Sequence, residues 1–373
     1  MGSSPTIRTL IIKPTGSYIY MSELNSSRGC GSCFIMEDVM VNVALDAMGG
    51  DNAPKEVVFG ALDALNREER LVVHLCGDEK AINECLNQYG KTYPKDRVKI
   101  VHCSEVIEMA ESPVNAIRKK KDSSIVVGMN LCKNGTCDAF VSAGSTGAIL
   151  VGGQIIVGRI KGVERAPLAP LIPTKKGASL LIDCGASVDA RPSQLVQFAK
   201  MGSIYMENIV GIKNPTVGIV NIGAEEEKGN ALVKETFPLL KECKDINFIG
   251  SVEAREIPGG ACDVIVTEAF TGNVILKFYE GVGKMMKDVL YSTLKSSIIT
   301  MIGALLIKSK LSKALKKFDS KEYGGAPLLG LNGLVLKTHG SSKANEIMRT
   351  LLQSVSFVDA EVNKKINEKI NAD

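Results

Sequence analysis

The sequence of 373 residues lacks the features that mark several large classes of protein. It has no run of about 18 apolar residues, so we predict no membrane-spanning helix. Its ten cysteines follow no repeating spacing, which argues against a disulfide framework and favours a reducing, cytoplasmic setting. The net charge of +4 does not indicate nucleic acid as a partner.

Motifs for several common catalytic chemistries are missing as well. No Gly-x-Gly-x-x-Gly follows the first predicted strand, where the chain reads DAMGGDNAP, so nothing indicates a bound dinucleotide. No Ser, His and Asp stand in a recognisable triad order, and no His, Cys or Asp cluster has metal-ligand spacing. The pair Cys30-x-x-Cys33 lacks the second pair that a zinc site needs. We therefore predict no metal and no cofactor.

What the chain does contain, from residue 40 onward, is a regular alternation of apolar runs and helical stretches. This alternation is typical of an α/β fold with a mostly parallel sheet and helices on both faces. The predicted strands are 40–45, 71–76, 98–103, 138–142, 178–183, 217–222, 246–250, 263–267 and 333–338. The predicted helices are 54–66, 79–89, 113–132, 145–158, 192–210, 228–242, 271–295 and 341–355.

The domain organisation follows from the same pattern. Residues 1–38 are rich in Ser, Gly and Thr and are expected to be a disordered N-terminal extension. Residues 39–358 are expected to form one catalytic unit, and 359–373 a C-terminal tail. Clustered Pro and Gly also indicate a boundary near 160–175.

Polar and glycine-rich turns follow several predicted strands, and an open α/β sheet binds its ligands at such strand ends. The first turn lies in VNVALDAMGGDNAPKE (41–56), with Asp46 at the strand end and Asn52 in the turn. The second is SAGSTGA (142–148), in which a helix begins at Ser145. Exposed N–H groups and the helix dipole favour an anion there, although a plain helix cap gives the same pattern. Phosphate binding is thus one of two open interpretations.

Two later turns carry further candidates. In NIGAEEEKGN (221–230) Asn221 stands at the strand end, and the three glutamates indicate an acidic first helical turn more than a metal site. In YGGAPLLGLNGLVLKTHGSSKAN (323–345) Lys337 and His339 end a strand just before a helix. Lys and His in such a place can hold and protonate an anionic group. A purely structural histidine is the alternative.

Two charged segments have more than one interpretation. RKKKDSS (118–124) is typical of a solvated helix end, and it also fits a docking patch for an acidic partner. Segment 289–317 holds six lysines and no acidic residue. We predict an amphipathic helical segment on an anionic membrane surface, with an interface helix and snorkelling lysines as the alternative. The residues predicted to contact the membrane are Ile298, Ile299, Met301, Ile302, Leu305, Leu306, Lys308 and Lys310.

Taken in order, these motifs resemble the phosphate acyltransferases of bacterial phospholipid synthesis, also called acyl-carrier-protein:phosphate transacylases. The matching stretches run from about Val41 to Val355 and include FVSAGSTGAILVGG, RAPLAPLIPT, LIDCGASVDARPSQLVQFAKMG and FTGNVILKFYEG. The resemblance implies that a long-chain acyl group moves from the thioester of acyl carrier protein to inorganic phosphate. The acyl phosphate would then feed a membrane acyltransferase that acts on glycerol 3-phosphate.

The resemblance also carries expectations about assembly and fold. It implies a fold similar to isocitrate and isopropylmalate dehydrogenases, a homodimer, and a cytoplasmic protein in peripheral contact with the membrane. Three places depart from the family pattern: Glu268-Ala269 stand where Asp-Gly is usual, and Ser145 and Ser187 stand where Asn is usual. The glutamate keeps a carboxylate, the serines keep a hydrogen-bonding group, and the alanine lacks glycine's access to positive φ.

Phosphate attacking a thioester needs no covalent nucleophile, so the site has to hold phosphate near the carbonyl carbon and stabilise the oxyanion. For phosphate binding we expect Ser145, Thr146, Gly147, Asn52 and Asn273. For catalysis we expect Lys337, His339, Asn221, Asp46 and Asp183: the lysine and histidine neutralise charge or protonate the thiol, the asparagine donates hydrogen bonds, and the aspartates orient the site.

Two other functions remain open on the sequence alone. One is an NAD(P)-dependent decarboxylating dehydrogenase of the same fold class, which would need converging acidic metal ligands. The other is a non-enzymatic adaptor that binds acyl carrier protein and membrane.

Overall fold

The computed structural model describes residues 11–12, 18–19, 39–316 and 323–372. The expected N-terminal extension lies outside the described residues except for two short strands, which pair antiparallel with Ile11 opposite Ile19.

The elements alternate along the chain as the sequence predicts. The strands are β1 (Ile11–Ile12), β2 (Tyr18–Ile19), β3 (Val41–Asp46), β4 (Leu71–Gly77), β5 (Val98–His102), β6 (Ala139–Ser142), β7 (Leu171–Thr174), β8 (Gly177–Ile182), β9 (Thr216–Asn221), β10 (Asn247–Glu253), β11 (Val264–Val266), β12 (Ala326–Leu328) and β13 (Leu334–Lys337). The helices are α1 (Lys55–Leu65), α2 (Glu79–Gln88), α3 (Pro113–Lys119), α4 (Ser124–Lys133), α5 (Thr146–Gly152), α6 (Pro192–Tyr205), α7 (Ala231–Glu242), α8 (Ala269–Leu294), α9 (Ile298–Lys316), α10 (Ala344–Asp359) and α11 (Val362–Ile370).

The first half of the molecule contains strands from the early and the late parts of the described chain. It is built on a six-stranded sheet of order β12-β13-β6-β3-β4-β5, parallel except for the β12–β13 pair. Side chains of a strand alternate between its two faces. On β3, Val43 and Leu45 therefore join the core cluster that contains α1 and α10, whereas Ala44 joins the cluster that contains α4. Both faces of the sheet are covered, as a parallel sheet requires.

The second half is built on a five-stranded sheet of order β10-β9-β11-β8-β7, parallel except for the β7–β8 pair. Leu180 and Ile182 of β8 pack in the same cluster as α6, and Leu181 packs on the opposite face with Ile275 and Leu276 of α8. The helices again cover both faces.

The sheet is thus divided in two, where the sequence predicted one mostly parallel sheet. Each sheet has an antiparallel edge strand that the sequence did not predict: β7 in the five-stranded sheet and β12 in the six-stranded sheet. The chain passes between the halves at residues 158–170, where Ile160, Ala169 and Leu329 make backbone hydrogen bonds that join this segment to 327–331. The Pro- and Gly-rich stretch near 160–175 is therefore a crossing between halves.

Several predicted boundaries also shift. The predicted helix 113–132 is two helices, because Ser123 caps a new start by accepting a hydrogen bond from Val126 N. The predicted tail 359–373 includes α11, whose Val362 and Ile366 are buried.

Helices α8 and α9 expose many apolar side chains. Segment 289–317 comprises the end of α8 and helix α9, with a break at 295–297. On α9 the apolar residues fill 298–307 and the lysines follow from Lys308 on, so polarity changes along the helix rather than around it, unlike the predicted amphipathic segment. In the described ranges no helix combines the length and apolar character needed to cross a bilayer.

Helix α8 approaches the end of β8 so closely that only glycine fits at one position. A Cβ on Gly272 would lie 1.9 Å from the carbonyl oxygen of Asp183. Just before it, Glu268 caps the helix by accepting hydrogen bonds from Phe270 N at 2.6 Å and Thr271 N at 2.9 Å. The start of α8 is therefore fixed against β8 by a cap and a close backbone contact.

We predict that Gly272→Ala lowers the free energy of unfolding by roughly 2–3 kcal/mol or more, because overpacking against backbone has no side chain that can move aside. Urea unfolding followed by circular dichroism measures the change. The matched control is Gly281→Ala on the same helix, where a Cβ meets nothing within 4 Å and where alanine is expected to stabilise by up to about 1 kcal/mol. Equal unfolding midpoints for the two variants would contradict the close contact.

Candidate functional site

A cleft of about 390 Å³ lies between the two halves, beyond the carboxyl ends of their strands. Its polar wall comes mainly from the first half and includes Asp51, Thr146, Lys337, Thr338, His339 and Ser341. Its apolar wall comes mainly from the second half and includes Leu168, Pro170, Leu171 and Leu276. The cleft therefore offers one charged and one apolar surface to a ligand.

Lys337 ends β13 and is the most enclosed charged group of the cleft, with 7% of its surface exposed. Its Nζ donates to the carbonyl oxygens of Ala143, at 3.4 Å, and of Thr338. Burial lowers the pKa of Lys337 to about 8, against the opposing charges of Asp46 and Asp51. An anion beside this ammonium would restore the charge balance that burial disturbs.

His339 follows two residues later and reaches across the cleft to α8. Its Nε2 lies 2.8 Å from Oε1 of Glu280, and Lys277 Nζ lies 3.0 Å from Oε2 of the same carboxylate. Burial acts to raise the pKa of Glu280, but the hydrogen bonds and charges of His339 and Lys277 outweigh it and lower the pKa. The polar wall thus continues onto the second half through an ionised carboxylate.

Asp46 holds together the turns after β3 and β6. It is fully buried, and its Oδ2 accepts a hydrogen bond of 2.6 Å from Ser142 Oγ, which in turn accepts one from Gly144 N at 2.9 Å. Burial raises the pKa of Asp46, and hydrogen bonds to the carboxylate oppose this. The turn that it organises reaches the cleft at Asp51, whose N donates to Gly340 O at 2.8 Å.

Asp183 organises the turn after β8 in the same manner. Its carboxylate accepts hydrogen bonds from the backbone N–H groups of Leu168, Gly185, Ala186 and Ser187 at 2.9–3.2 Å. Burial raises the pKa of Asp183, and these N–H groups oppose that shift. Both carboxylate oxygens are fully engaged by backbone, so Asp183 shapes the cleft and does not line it.

The structure brings four of the predicted site residues to the wall of the cleft, and these are Thr146, Asn273, Lys337 and His339. Asn52 supports the cleft indirectly. Its Nδ2 donates to Ser341 O at 3.1 Å and to Ser342 O at 3.2 Å, and these hydrogen bonds hold the loop after His339.

Three other predicted residues make local contacts away from the wall. Ser145 caps α5, with Oγ accepting from Ala148 N at 3.5 Å. Gly147 packs against Pro113, whose Cγ would lie 2.5 Å from a Cβ at that position. Asn221 binds within its own half, donating to Lys228 O at 3.2 Å and to Ser251 Oγ at 3.0 Å. Their predicted roles remain predictions.

Sequence reasoning missed Lys277 and Glu280. Asn273, Leu276, Lys277 and Glu280 are spaced by three, one and three residues, which places them on one face of α8. Since 271–295 was predicted as a helix, this spacing was the available signal. The spacing alone does not identify them, because nothing local in the sequence indicates which face of the helix meets the cleft.

The departure at Glu268-Ala269 from the family pattern fits the local geometry, whereas the Ser187 hydroxyl is buried without a hydrogen-bond partner among the described residues. Glu268 supplies the cap that a shorter Asp would supply. Ala269 begins a right-handed helix, and its N donates to Ser187 O at 2.9 Å, so no positive φ is needed there. Over the described ranges, no three His, Cys, Asp or Glu side chains are grouped to hold a metal ion.

Comparison with known proteins agrees with this geometry. Residues 41–365 match the family described as "Fatty acid synthesis protein". The chain is 49% identical to "Phosphate acyltransferase" of Clostridium beijerinckii over 334 residues, covering 89% of this chain and all of the relative. It is 47% identical over 335 residues to "Phosphate acyltransferase" of Caldicellulosiruptor bescii, covering 89% of this chain and 99% of that one.

Solved structures with the same fold are more distant in sequence. A phosphotransacetylase from Streptococcus pyogenes superimposes with a TM-score of 0.54 at 17% identity, covering 85% of this chain and 93% of that one. EutD phosphotransacetylase from Staphylococcus aureus gives a TM-score of 0.51 at 17% identity, covering 87% and 94%. The likeness in sequence to these two phosphate acyltransferases is the decisive finding: the chain belongs to the phosphate acyltransferase family and is an acyltransferase.

Proposed function

We propose that this cleft transfers a long-chain acyl group from the thioester of acyl carrier protein to inorganic phosphate, releasing acyl phosphate for phosphatidic acid synthesis. The observation that carries the proposal is the pairing of a buried lysine with an apolar wall in one cleft. Lys337 offers a positive charge to phosphate, and Leu168, Leu171 and Leu276 offer a surface to an acyl chain.

In the proposed reaction a phosphate oxygen attacks the thioester carbonyl carbon, and a tetrahedral oxyanion forms. The C–S bond then breaks, the thiolate takes up a proton, and a mixed anhydride of the acid with phosphate remains. Holding the two reactants together can supply several kcal/mol of the barrier. Each donor aimed at the oxyanion contributes roughly 3–4 kcal/mol more.

The cleft residues divide this work in the proposal. Lys337 binds phosphate and neutralises its charge, and the Thr146 hydroxyl and the Asn273 amide donate further hydrogen bonds. His339, on the same polar wall, protonates the departing thiolate. Asp46 holds the turn that leads into Thr146, and Asp183 holds the turn whose Ser187 carbonyl oxygen accepts the first N–H of α8, the helix that carries Asn273.

The proposal extends to assembly and location. We propose a cytoplasmic homodimer of the isocitrate/isopropylmalate dehydrogenase fold class that touches the anionic membrane and hands acyl phosphate to the glycerol-3-phosphate acyltransferase. Support comes from the exposed apolar residues of α8 and α9, among them Phe278 at 73%, Ile299 at 82% and Leu306 at 82%. Such a surface on a protein marks a contact with a partner or a membrane.

The central experiment measures thiol release from palmitoyl acyl carrier protein by the purified chain, with and without phosphate. The expected result is release that depends on phosphate and that yields one acyl phosphate per thiol. Acetyl-CoA in place of the carrier-bound donor serves as the comparison and is expected to react far more slowly. Thiol release that proceeds equally well in phosphate-free buffer would contradict the proposal.

Lys337→Met is predicted to stabilise the protein while it reduces acyl transfer by at least about a hundredfold. The fall of the Lys337 pKa from 10.5 to about 8 corresponds to roughly 3 kcal/mol of destabilisation when the lysine is charged. Since the unfolded chain keeps this proton up to about pH 10.5, the gain in unfolding free energy should be full below pH 8 and should fade between pH 8 and pH 10.5.

Chemical denaturation of both proteins across this pH range measures the difference. Lys277→Met is the matched control, because its side chain is 55% exposed and ion-paired, so its effect on stability should stay within about 1 kcal/mol. A Lys337→Met protein that is less stable than the wild type at pH 7 would refute the buried-charge account.

The double variant Leu305→Ser/Leu306→Ser is predicted to weaken binding to vesicles of phosphatidylglycerol and phosphatidylethanolamine by more than tenfold, since burying each leucine contributes roughly 1.5–3 kcal/mol. Thiol release from a soluble donor should be unchanged. Leu239→Ser, at a 43% exposed leucine of α7, is the control. Vesicle flotation gives the bound fraction, and equal flotation of all three proteins would exclude α9 as the membrane contact.

A further inference from the structure

Glu280 is a cleft carboxylate to which the proposed reaction gives no task. It stands on α8, in the second half of the molecule, yet its closest hydrogen-bonding partner, His339, follows β13 in the first half. The two residues are 59 positions apart in sequence and 2.8 Å apart between Oε1 and Nε2. This hydrogen bond crosses the cleft from one wall to the other.

The chemistry of the two groups fixes the position of one proton. An ionised carboxylate can only accept hydrogen bonds, and although burial acts to raise the pKa of Glu280, the interactions with His339 and Lys277 lower it. The Nε2 atom of His339 must therefore carry the hydrogen that it donates. Nδ1 has no hydrogen-bond partner among the described residues, and it is the ring nitrogen left for a ligand in the cleft.

The orientation of the carboxylate is fixed from its other side. Oε2 of Glu280 accepts a hydrogen bond of 3.0 Å from the ammonium of Lys277, which lies one helical turn away on the same face of α8. Each oxygen thus has its own partner, and Oε1 stays directed at the imidazole. The side chain is 24% exposed, while those of His339 and Lys277 are 46% and 55% exposed. Of these three side chains, that of Glu280 is the least exposed.

We propose that Glu280 is a positioning residue that holds the Nε2–H of His339, so that Nδ1 is the atom that gives its proton to the departing thiolate. The inference rests on the proposed function, because it names the atom through which His339 would act. It also gives the second half of the molecule, which supplies Asn273 and the apolar wall, a task in the proton transfer.

The proton balance of this step is simple. Before the transfer, His339 is an imidazolium with hydrogens on both nitrogens, and the anionic Glu280 stabilises it. As the C–S bond breaks, the Nδ1–H bond breaks and an S–H bond forms. The ring is left neutral with its hydrogen on Nε2, still donated to Glu280. The carboxylate keeps its hydrogen bond throughout and is never protonated, as in other carboxylate–histidine pairs.

The first test reads the tautomer directly and needs no activity. The chain has three histidines, so a sample with ¹⁵N-labelled histidine gives few imidazole signals, and His339→Gln identifies those of residue 339. At a pH where the ring is neutral, the Nε2–H tautomer is expected in the wild type and a mixture of tautomers in Glu280→Gln. The Nδ1–H tautomer in the wild type, or an unchanged spectrum in the variant, would overturn the proposal.

The second test is a double-mutant cycle on kcat for thiol release. Glu280→Gln alone is expected to lower kcat by roughly 10- to 100-fold, with KM for phosphate unchanged within about twofold. In the His339→Gln background the same substitution should change kcat by less than about twofold, because its effect passes through the imidazole. Equal losses in both backgrounds would show a general structural role and reject the positioning one.

The two tests separate this inference from the proposed function. A wild-type protein that releases no thiol from the carrier-bound donor would contradict the proposed function. The tautomer of His339 would still decide whether Glu280 positions that ring. If Glu280→Gln does not fold, the wild-type spectrum alone still decides between the two tautomers.

Discussion

A lysine ammonium buried at the end of a β-strand is the constraint on which the site depends. Among the residues that the structure describes, Lys337 is the one buried lysine. Burying a charge without a close counterion is costly, and neither Asp46 nor Asp51 makes a direct ion pair with Lys337. The ammonium is held by two carbonyl oxygens, which leaves its charge uncompensated. A small anion would relieve this cost, and phosphate fits that need.

The rest of the fold serves to place this charge against an apolar wall. The six-stranded sheet brings β13 and β6 side by side, so Lys337 pairs in register with Ser142, and the turns held by Asp46 meet it there. The five-stranded sheet brings α8 and the start of β7 to face them. Because the walls belong to different sheets, their side chains differ in character, and one wall is charged while the other is apolar.

Much of the fold and part of the site could be predicted from the sequence. The strand end at Lys337 and the alternation of strands and helices follow from local apolar patterns and were found where expected, with His339 two residues beyond the strand. The division into two sheets was not predicted, because β12 has three residues and β7 four. Both contain a proline, which weakens a strand signal.

The missing parts of the site depend on tertiary contacts. Glu280 and His339 meet across 59 residues of chain, and no local pattern reports such a contact. Ser145 was ambiguous for a different reason. A hydroxyl at a helix start caps the helix or binds an anion, and the sequence signal is the same for both. The structure shows the cap and leaves the cleft wall to Thr146.

Titration calorimetry of phosphate binding near pH 8 tests the central claim most directly. Lys337, with a pKa of about 8, is half protonated there, and a bound anion would complete its protonation. Titrations in buffers of different ionisation enthalpy should therefore show an uptake of about half a proton per phosphate, and Lys337→Met should show none. Binding of phosphate with no proton uptake, or with the same uptake in the variant, would contradict the account.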